Sequence, residues 1–487
     1  MYRVHSAFQS GCRSAGWPAA RNPAGVALAS ARFCQARERG LRRKLGPFVL
    51  SQEESMRVVV LGAGVIGTTS AWYLARAGHE VTVVDRQPDV ALETSFANGG
   101  QLSVSHAEPW ANPSAPFKLL RWLGREDAPL LFRPRADLAE WSWGLRFLYE
   151  CLPSRSLRNA EAALALALYS REQLRHLRRD TGILYDSATS GILHLYEERR
   201  EFERARAQVE WFRGRGLEVE AKTPQECVSI EPALGNSAIR IAGGVHAPAD
   251  ESGDAQLFTK NLADLCRAHG VAFRFNVSVR RVEAAHAAID RVVIDDEEGI
   301  EESVRADAYV VALGSYSPLV LKPIGAAVSV YPVKGYSITL PLDPGDRAPQ
   351  VSLTDHSRKI VFSRLGNRLR VAGTAELNGY NTEINEYRCQ ALVKRSFEWF
   401  PEAGRADEAQ FWTGLRPATP GNIPVIGGTK YPNLFINTGH GTLGWTLACG
   451  SGRALADIVS GRRPEPEFPF QGVDATPKTA GSKTAPA

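Results

Sequence analysis

A glycine motif that follows an apolar run constrains the fold of this chain more than any other feature. The run Val58-Val59-Val60-Leu61 leads into Gly62-Ala63-Gly64-Val65-Ile66-Gly67, a G-x-G-x-x-G motif. In such motifs the first glycine permits a tight turn, the second lets the backbone approach a pyrophosphate, and the third allows close helix–strand packing. A helix over Val65–Ala77, a second strand over Val81–Val84 and a ribose-binding acid, Asp85, are predicted to follow. This order predicts a dinucleotide-binding domain but does not separate FAD from NAD.

Composition and charge exclude several classes of protein. The 487 residues are 44% hydrophobic, which is enough for a large core divided among two or three lobes. The formal net charge of +5 lies in residues 1–55, where nine Lys and Arg residues face three acids, so the remainder is close to neutral. A near-neutral body gives no electrostatic footprint for nucleic acid. The seven cysteines form no C-x-x-C pair and no Cys/His cluster has zinc spacing, so we expect no metal site. Their odd number in a long chain is typical of free thiols in a reducing compartment.

Residues 1–55 are rich in Arg, Ala, Ser and Gly and show no strand or helix pattern. Met56, the second of two methionines, directly precedes the first predicted strand. We therefore interpret residues 1–55 as a mis-assigned start, with a mitochondrial transit peptide as the alternative. The expected location is cytoplasmic, with a peripheral position on the inner membrane or a mitochondrial location as alternatives.

The remaining chain divides by pattern into alternating contributions to two domains. We predict an α/β fold in which a doubly wound, Rossmann-like domain is interleaved with an α+β substrate domain whose sheet is mainly antiparallel. The cofactor domain is expected to comprise residues 56–106, most of 241–330, and 411–461. The substrate domain is expected to comprise a mostly helical lobe, 107–240, and a sheet, 331–410. Residues 462–487 are expected to be disordered.

Several segments resemble one family of flavoproteins. Glu93 to Gln101 reads ETSFANGGQ and Asn437 to Trp445 reads NTGHGTLGW. Together with residues 57–85, they resemble the D-amino acid dehydrogenase small subunit, which belongs to the D-amino acid oxidase and glycine oxidase group. Residues 253–258, 331–337 and 411–417 fit the same family, and the match runs from Met56 to about Gly461.

The resemblance implies non-covalently bound FAD and oxidative deamination of D-amino acids, such as D-alanine, to 2-oxo acids and ammonia. It also implies that electrons pass to a respiratory acceptor, a quinone or carrier, rather than to oxygen. Two enzymatic alternatives stay open: an oxygen-using glycine, sarcosine or D-amino acid oxidase, and a D-proline or D-hydroxyproline dehydrogenase. The alternative outside enzymes is a dinucleotide-binding assembly or sensor subunit.

Two further clusters are expected to bind the cofactor alongside the first motif and Asp85. Short polar groups and glycines suit a phosphate and a flat ring, although Thr94 and Ser95 are also suited to capping a following helix. A glycine-rich helix start after residue 438 would direct its positive end toward the flavin. His440 could contact the flavin, and the alternative is a structural residue held by its loop. The complete additional set is Thr94, Ser95, Asn98, Gly99, Gly314, Gly439, His440, Gly441 and Gly444.

Two residues are expected to act on the substrate. The resemblance assigns Arg416, in Gly-Leu-Arg-Pro, to the substrate carboxylate, and a planar guanidinium suits that task because it forms two parallel bonds. The alternative is a structural ion pair. Tyr336 is a weaker candidate for a hydrogen bond to substrate, and the favoured alternative is a core or sheet tyrosine.

Residues 117–158 combine aromatic and basic side chains, which is typical of a lipid interface where a quinone would be met. The aromatic residues are Trp122, Trp141, Trp143 and Phe147. The alternative, which we slightly favour, is a helical lobe with these residues in its core. An oligomeric state is not fixed by the sequence.

Overall fold

The structure is a computed structural model that describes residues 55–106, 109–122, 124–126, 128–470 and 472–473. The predictions for residues 1–54 lie outside the described residues. Among the described residues, no helix has the length and apolar character needed to cross a membrane.

The first layer of the fold is a six-stranded sheet that starts with the predicted apolar run. Five neighbouring strands are parallel, and the edge strand, residues 425–428, is antiparallel to its neighbour, residues 434–438. Its inner strands are almost entirely buried because helices cover one face and a small antiparallel sheet, residues 278–304, covers the other, as their continuous Val-rich sequences require. The strands are β1 (Arg57–Leu61), β2 (Glu80–Val84), β9 (Ala272–Arg274), β13 (Ala308–Val311), β19 (Val425–Gly428) and β20 (Leu434–Thr438), in the spatial order β19-β20-β13-β1-β2-β9.

Helices from distant parts of the chain pack together beside this sheet. A glycine of the last helix, residues 444–459, lets it approach the first helix, residues 65–76, closely. A Cβ at Gly452 would lie 2.8 Å from the backbone carbonyl carbon of Thr69. The helices are α1 (Val65–Arg76), α4 (Pro153–Thr181), α7 (Ala255–Ala268) and α10 (Gly444–Val459). The first and last parts of the chain therefore share one core.

The second layer is a nine-stranded, mainly antiparallel sheet. Its two parallel contacts join residues 352–355 to 192–195 and residues 375–377 to 130–132. Its strands are β4 (Leu130–Phe132), β5 (Ile192–Tyr196), β6 (Glu220–Lys222), β7 (Gly243–Ala247), β14 (Tyr331–Pro341), β15 (Ser352–Asp355), β16 (Ile360–Leu365), β17 (Arg368–Leu377) and β18 (Gln410–Ala418), in the order β18-β14-β17-β16-β15-β5-β7-β6, with β4 beside β17.

Smaller elements complete the described chain. An antiparallel three-stranded sheet contains β10 (Ser278–Ala285), β11 (Ala288–Asp295) and β12 (Glu301–Val304), and a two-stranded one contains β3 (Gln101–Leu102) and β8 (Glu251–Ser252). The other helices are α2 (Ala115–Trp122), α3 (Leu138–Glu150), α5 (Arg199–Arg213), α6 (Pro224–Ile230), α8 (Ser317–Leu321) and α9 (Glu386–Trp399).

The segment boundaries differ from the sequence-based expectation in three places. The expected boundary at residues 410/411 falls inside β18, which pairs along its length with β14 in the second sheet. Strand β7, within the expected cofactor segment 241–330, also belongs to the second sheet. In the expected disordered tail, Phe468 and Phe470 pack against the core, and the amide of Val473 donates to Gly428 O at 3.1 Å. These segments are short and contain few apolar residues, so hydrophobic periodicity does not predict which strands they pair with.

Candidate functional site

A cavity of about 630 Å³ is lined by segments of both sheets and brings most of the predicted site residues together. Its size is typical of a site for a cofactor or small ligand. The predicted residues on its wall are Gly62, Gly64, Val65, Ile66, Asp85, Thr94, Ser95, Asn98, Gly99, Gly314, Tyr336, Arg416, His440, Gly441 and Gly444.

Seven residues predicted to bind the cofactor do not line the cavity, and they determine the position of the residues that do. Gly67 is required because a Cβ there would lie 1.8 Å from Gly62 O, so helix α1 could not approach the turn. Gly439 has φ +81°, and a Cβ would lie 2.6 Å from Thr419 Cγ2. The seven are Val58, Val59, Val60, Leu61, Ala63, Gly67 and Gly439.

The start of helix α1 is tied to the end of β2 through Asp85. The amide of Ala63 donates to Asp85 Oδ2 at 2.6 Å, and the amide of Gln87 donates to Oδ1 at 2.8 Å. Burial raises the pKa of Asp85 above its usual value, while these two amides oppose the rise. Each oxygen retains a lone pair for a hydroxyl donor, so the carboxylate is suited to a ribose.

The segment after β2 links the two sheets around the cavity. Thr94 Oγ1 donates to Leu415 O at 2.8 Å, and Ser95 Oγ accepts from the amide of Val65 at 3.1 Å. Ser95 therefore caps the preceding helix α1 rather than a following helix. Gly99 is needed for close packing because a Cβ there would lie 2.4 Å from Val361 Cγ2.

A second helix start, that of α10, also opens onto the cavity. The amide of Gly441 donates to Pro417 O at 2.8 Å, and Gly441 has φ +54°. The His440 ring bonds through Nε2 to Ser451 Oγ at 3.1 Å, and burial lowers its pKa to about 3. A neutral histidine held by a serine of the helix that follows it supports the structural alternative for His440.

Arg416, on β18, brings an uncompensated cation to the cavity wall. Its Nη1 donates to Thr374 O at 2.9 Å, and no carboxylate among the described residues forms an ion pair with it. The guanidinium lies over Gly335, where a Cβ would be 2.3 Å from its Cζ. Burial and, to a smaller extent, Arg388 lower the pKa of Arg416 to about 10, so it stays charged at neutral pH. The absence of a pairing carboxylate from this part of the structure argues against a structural ion pair.

Thr374, beside Arg416, is a site residue that the sequence did not reveal. The pairing of β14 with β17 shifts register between Gly335 and Tyr336, which leaves Thr374 as the extra residue of a bulge with φ +54°. A β-branched residue rarely adopts this conformation, and Thr374 Oγ1 is buried without a hydrogen-bond partner. Such strain clusters at functional sites.

The environment of Tyr336 agrees with the interpretation favoured from the sequence, a tyrosine of the sheet, rather than with a hydroxyl that contacts substrate. The ring lines the cavity, but the hydroxyl donates a short hydrogen bond to Glu376. Burial, with the neighbouring Glu376, raises the pKa of Tyr336 far above its usual value. Glu376 also pairs with Arg133 at 3.2 Å and lies 3.7 Å from Lys334 Nζ. The structure favours the alternative, a sheet tyrosine that buttresses the wall.

The donor set of the cavity fits a dinucleotide cofactor with a flat ring. Two helix N-termini, at Gly64 and Gly444, open onto it and offer backbone N–H groups to anions. Asp85 lies at one part of the wall and Arg416 at another. Val277 and Arg280, which the sequence did not single out, complete the lining beside β2 because the chain returns there after β9.

Comparisons with known proteins agree with this arrangement. A family model described as FAD dependent oxidoreductase (DAO) matches residues 57–458. A protein named D-amino acid dehydrogenase from Dechloromonas aromatica (strain RCB) is 58% identical over 415 residues, or 85% of this chain and 99% of that protein. One of the same name from Paramagnetospirillum magneticum is 53% identical over 408 residues, or 84% of this chain and 96% of that protein.

A solved structure of glycine oxidase from Bacillus cereus ATCC 14579 shares the fold. Its TM-score is 0.65 at 22% sequence identity, and the alignment covers 87% of this chain and 99% of that chain. The predicted fold class and the predicted cofactor, FAD, are confirmed. With a matching model over most of its length and relatives more than half identical to it, this chain belongs to the FAD dependent oxidoreductase family (DAO).

Proposed function

We propose that this protein oxidises D-amino acids, such as D-alanine, to 2-oxo acids and ammonia. The observation that carries the proposal is the Arg416 guanidinium, which reaches the cavity wall with no carboxylate partner among the described residues. Relatives named D-amino acid dehydrogenase support the choice of substrate class. A free amino acid offers the missing carboxylate, which a guanidinium can hold through two parallel bonds.

The residues of the cavity would position the substrate rather than perform the redox step. When bound, FAD would supply the two-electron oxidation, in which the substrate loses a hydride from Cα and a proton from its amine to become an imino acid. Arg416 would hold the carboxylate, and Thr374 Oγ1, which has no hydrogen-bond partner among the described residues, would accept a hydrogen bond from the amine. Water then hydrolyses the imino acid to the 2-oxo acid and ammonia. Fixing both ends of the substrate restricts the orientation of its Cα–H bond.

Steady-state turnover with a panel of amino acids tests this function. Purified protein is supplied with D- and L-enantiomers, glycine, sarcosine and D-proline, first with a quinone-type dye and then with dioxygen alone. The proposal expects turnover of D-enantiomers with the dye and little with dioxygen. Turnover of glycine or sarcosine with dioxygen, in the absence of dye-linked D-amino acid oxidation, would overturn it.

We further propose that the acceptor is a membrane quinone met at one surface of the helical lobe. Helices α2 and α3 expose Phe117, Leu120, Leu138 and Leu145, each more than two-thirds exposed. We call these four residues the α2–α3 surface. Exposed basic residues lie on the same helices, including Lys118, Arg121 and Arg146. An apolar surface beside basic residues is suited to anionic lipid.

The aromatic residues named from the sequence divide between core and surface. Trp143 and Phe147 are buried and pack together, with ring centroids 5.4 Å apart. Trp141 is half exposed, and Trp122 lines the cavity. The apolar exposure comes instead mainly from leucines and Phe117. Because α2 contributes to both the cavity and the α2–α3 surface, a quinone dissolved in lipid would approach the flavin there.

Sedimentation with vesicles of anionic phospholipid tests the surface. The Phe117→Glu/Leu145→Glu variant should remain in the supernatant while the wild-type chain sediments. Ile300→Glu is a matched control, since Ile300 is 61% exposed on a distant hairpin segment. Equal sedimentation of the double variant and wild type, or wild-type protein wholly in the supernatant, would contradict the proposal.

A further inference from the structure

Three histidines from distant parts of the chain meet at one edge of the cavity. His194 lies on β5, and His356 follows the end of β15, the parallel neighbour of β5. His106 lies in the segment after β3 and lines the cavity. One ligand nitrogen from each ring lies within 4.8 Å of the others. No spacing in the sequence reveals this cluster because three separate segments supply it.

The separations of the rings match those of a three-histidine metal centre. The ring centroids are 5.5 Å apart for His106–His194, 5.5 Å for His106–His356 and 5.2 Å for His194–His356. Three imidazoles bound tetrahedrally at about 2.0–2.1 Å place their ring centroids about 5 Å apart. His194 Nδ1 and His356 Nε2 are already 3.1 Å apart. His106 is half-buried and lies in a turn outside both sheets.

A second layer of hydrogen bonds holds the His194 ring in a fixed orientation. Its Nε2 lies 3.3 Å from Ser105 Oγ, which donates to Asp250 Oδ2 at 2.6 Å. Asp250 is buried and also accepts from Ser103 Oγ and from the amides of Val104 and Ser105. This leaves His194 Nδ1 directed into the cluster. Partners of this kind fix the tautomer of a metal-binding histidine and increase its basicity.

The charge state of the cluster also suits a metal cation. Burial lowers the pKa of His106 to about 4 and holds those of His194 and His356 well below the usual value. A neutral imidazole offers a metal ion one ring nitrogen with a lone pair. The adjacent cation, Lys359, has its Nζ 3.5 Å from His356 Nδ1 but is exposed, so its side chain can move into solvent.

We propose that His106, His194 and His356 bind one divalent transition-metal ion of the Zn²⁺ class at the wall of the cavity. Three neutral imidazoles without a carboxylate are the ligand set that Zn²⁺, Co²⁺ and Cu²⁺ accept. Of the three ligands, His106 lines the cavity, so the metal site would lie at the edge of the cavity. The site is independent of the flavin chemistry, since none of the three histidines is assigned to FAD or to the substrate carboxylate.

Direct metal titration of the FAD-loaded protein, prepared without a histidine tag, tests the proposal. Zn²⁺ is measured by calorimetry and Co²⁺ by its visible absorption, which reports tetrahedral nitrogen coordination. We expect one ion per chain, at least tenfold weaker binding in His194→Gln, and about tenfold weaker binding in Ser105→Ala. Lys359→Met should bind severalfold more tightly because a neighbouring positive charge is removed.

Controls separate this outcome from misfolding and from adventitious surface binding. His246→Gln alters a histidine on β7, next to β5 but outside the cluster, and should bind as wild type does. If His194→Gln loses flavin, His106→Gln provides the test, because His106 is outside the regular elements of both sheets. Absence of stoichiometric binding to wild type, or binding of equal strength in His106→Gln, overturns the proposal.

Discussion

Replacement of Arg416 by leucine should reduce substrate turnover without reducing the FAD content. One of the five guanidinium N–H groups is donated to Thr374 O, which leaves the others for a substrate carboxylate. A charge-assisted hydrogen bond contributes about 1.5–3 kcal/mol, so two such bonds supply at least about 3 kcal/mol. Each 1.4 kcal/mol is a factor of about ten, so Arg416→Leu should lower kcat/KM by about a hundredfold or more.

Arg416→Lys separates the contribution of charge from that of geometry. Lysine keeps the positive charge but loses the planar fork, so its kcat/KM should lie between those of leucine and arginine. The assay is kcat/KM for D-alanine normalised to bound flavin. A structural role would instead give poor folding or flavin loss with little change per flavin. A leucine variant within a few-fold of wild type by this measure would refute the assignment.

Further substitutions test the environment of this site and the stability of the fold. Gly335→Ala should lower kcat/KM at least tenfold while the melting temperature changes little, because the new Cβ would lie 2.3 Å from Arg416 Cζ. Gly144→Ala is the matched control: its Cβ would meet no atom within 4 Å, so kcat/KM should stay unchanged. Thr374→Val should lower kcat/KM about tenfold and raise the melting temperature, because the buried hydroxyl has no protein partner. Gly67→Ala should yield colourless or unfolded protein, as measured by flavin absorbance and circular dichroism, because its Cβ would lie 1.8 Å from Gly62 O. Burial lowers the pKa of His440 from a usual 6.5 to about 3 in the folded protein. Its contribution to the free energy of unfolding is therefore present above pH 6.5 and is lost as the pH falls toward 3. Urea unfolding at about pH 4.5 should show about 3 kcal/mol less stability from this group, and His440→Gln should flatten the dependence of the unfolding free energy on pH.

The first βαβ unit could be predicted closely because its signals are local. The predicted helix, Val65–Ala77, differs from the observed Val65–Arg76 by one residue, and the strand containing Val81–Val84 begins one residue earlier. Periodicity, glycine spacing and the terminal acid all lie within thirty residues of chain, where local physics decides the structure. Arg416 lies on the cavity wall, and its contact with a substrate carboxylate stays a prediction.

The features that the sequence did not reveal depend on contacts between distant segments. The Thr374 bulge arises from the register of two strands about forty residues apart, and no local pattern specifies it. The alternation of Tyr336 with its neighbours predicts a strand but not that Glu376, on the next strand, takes its hydroxyl. The histidine cluster likewise requires β5 and β15 to be adjacent. Sequence reasoning therefore identified the parts of the site more completely than their contacts.

Anaerobic mixing of the purified protein with single amino acids tests the central claim most directly. The protein should be yellow from bound FAD, and D-alanine should bleach its visible flavin absorbance while L-alanine leaves it unchanged. Release of pyruvate and ammonia in equal amounts, one of each per flavin reduced, should accompany the bleaching. Flavin that stays oxidised with every D-amino acid of a panel, or that L-enantiomers bleach equally well, would contradict the account.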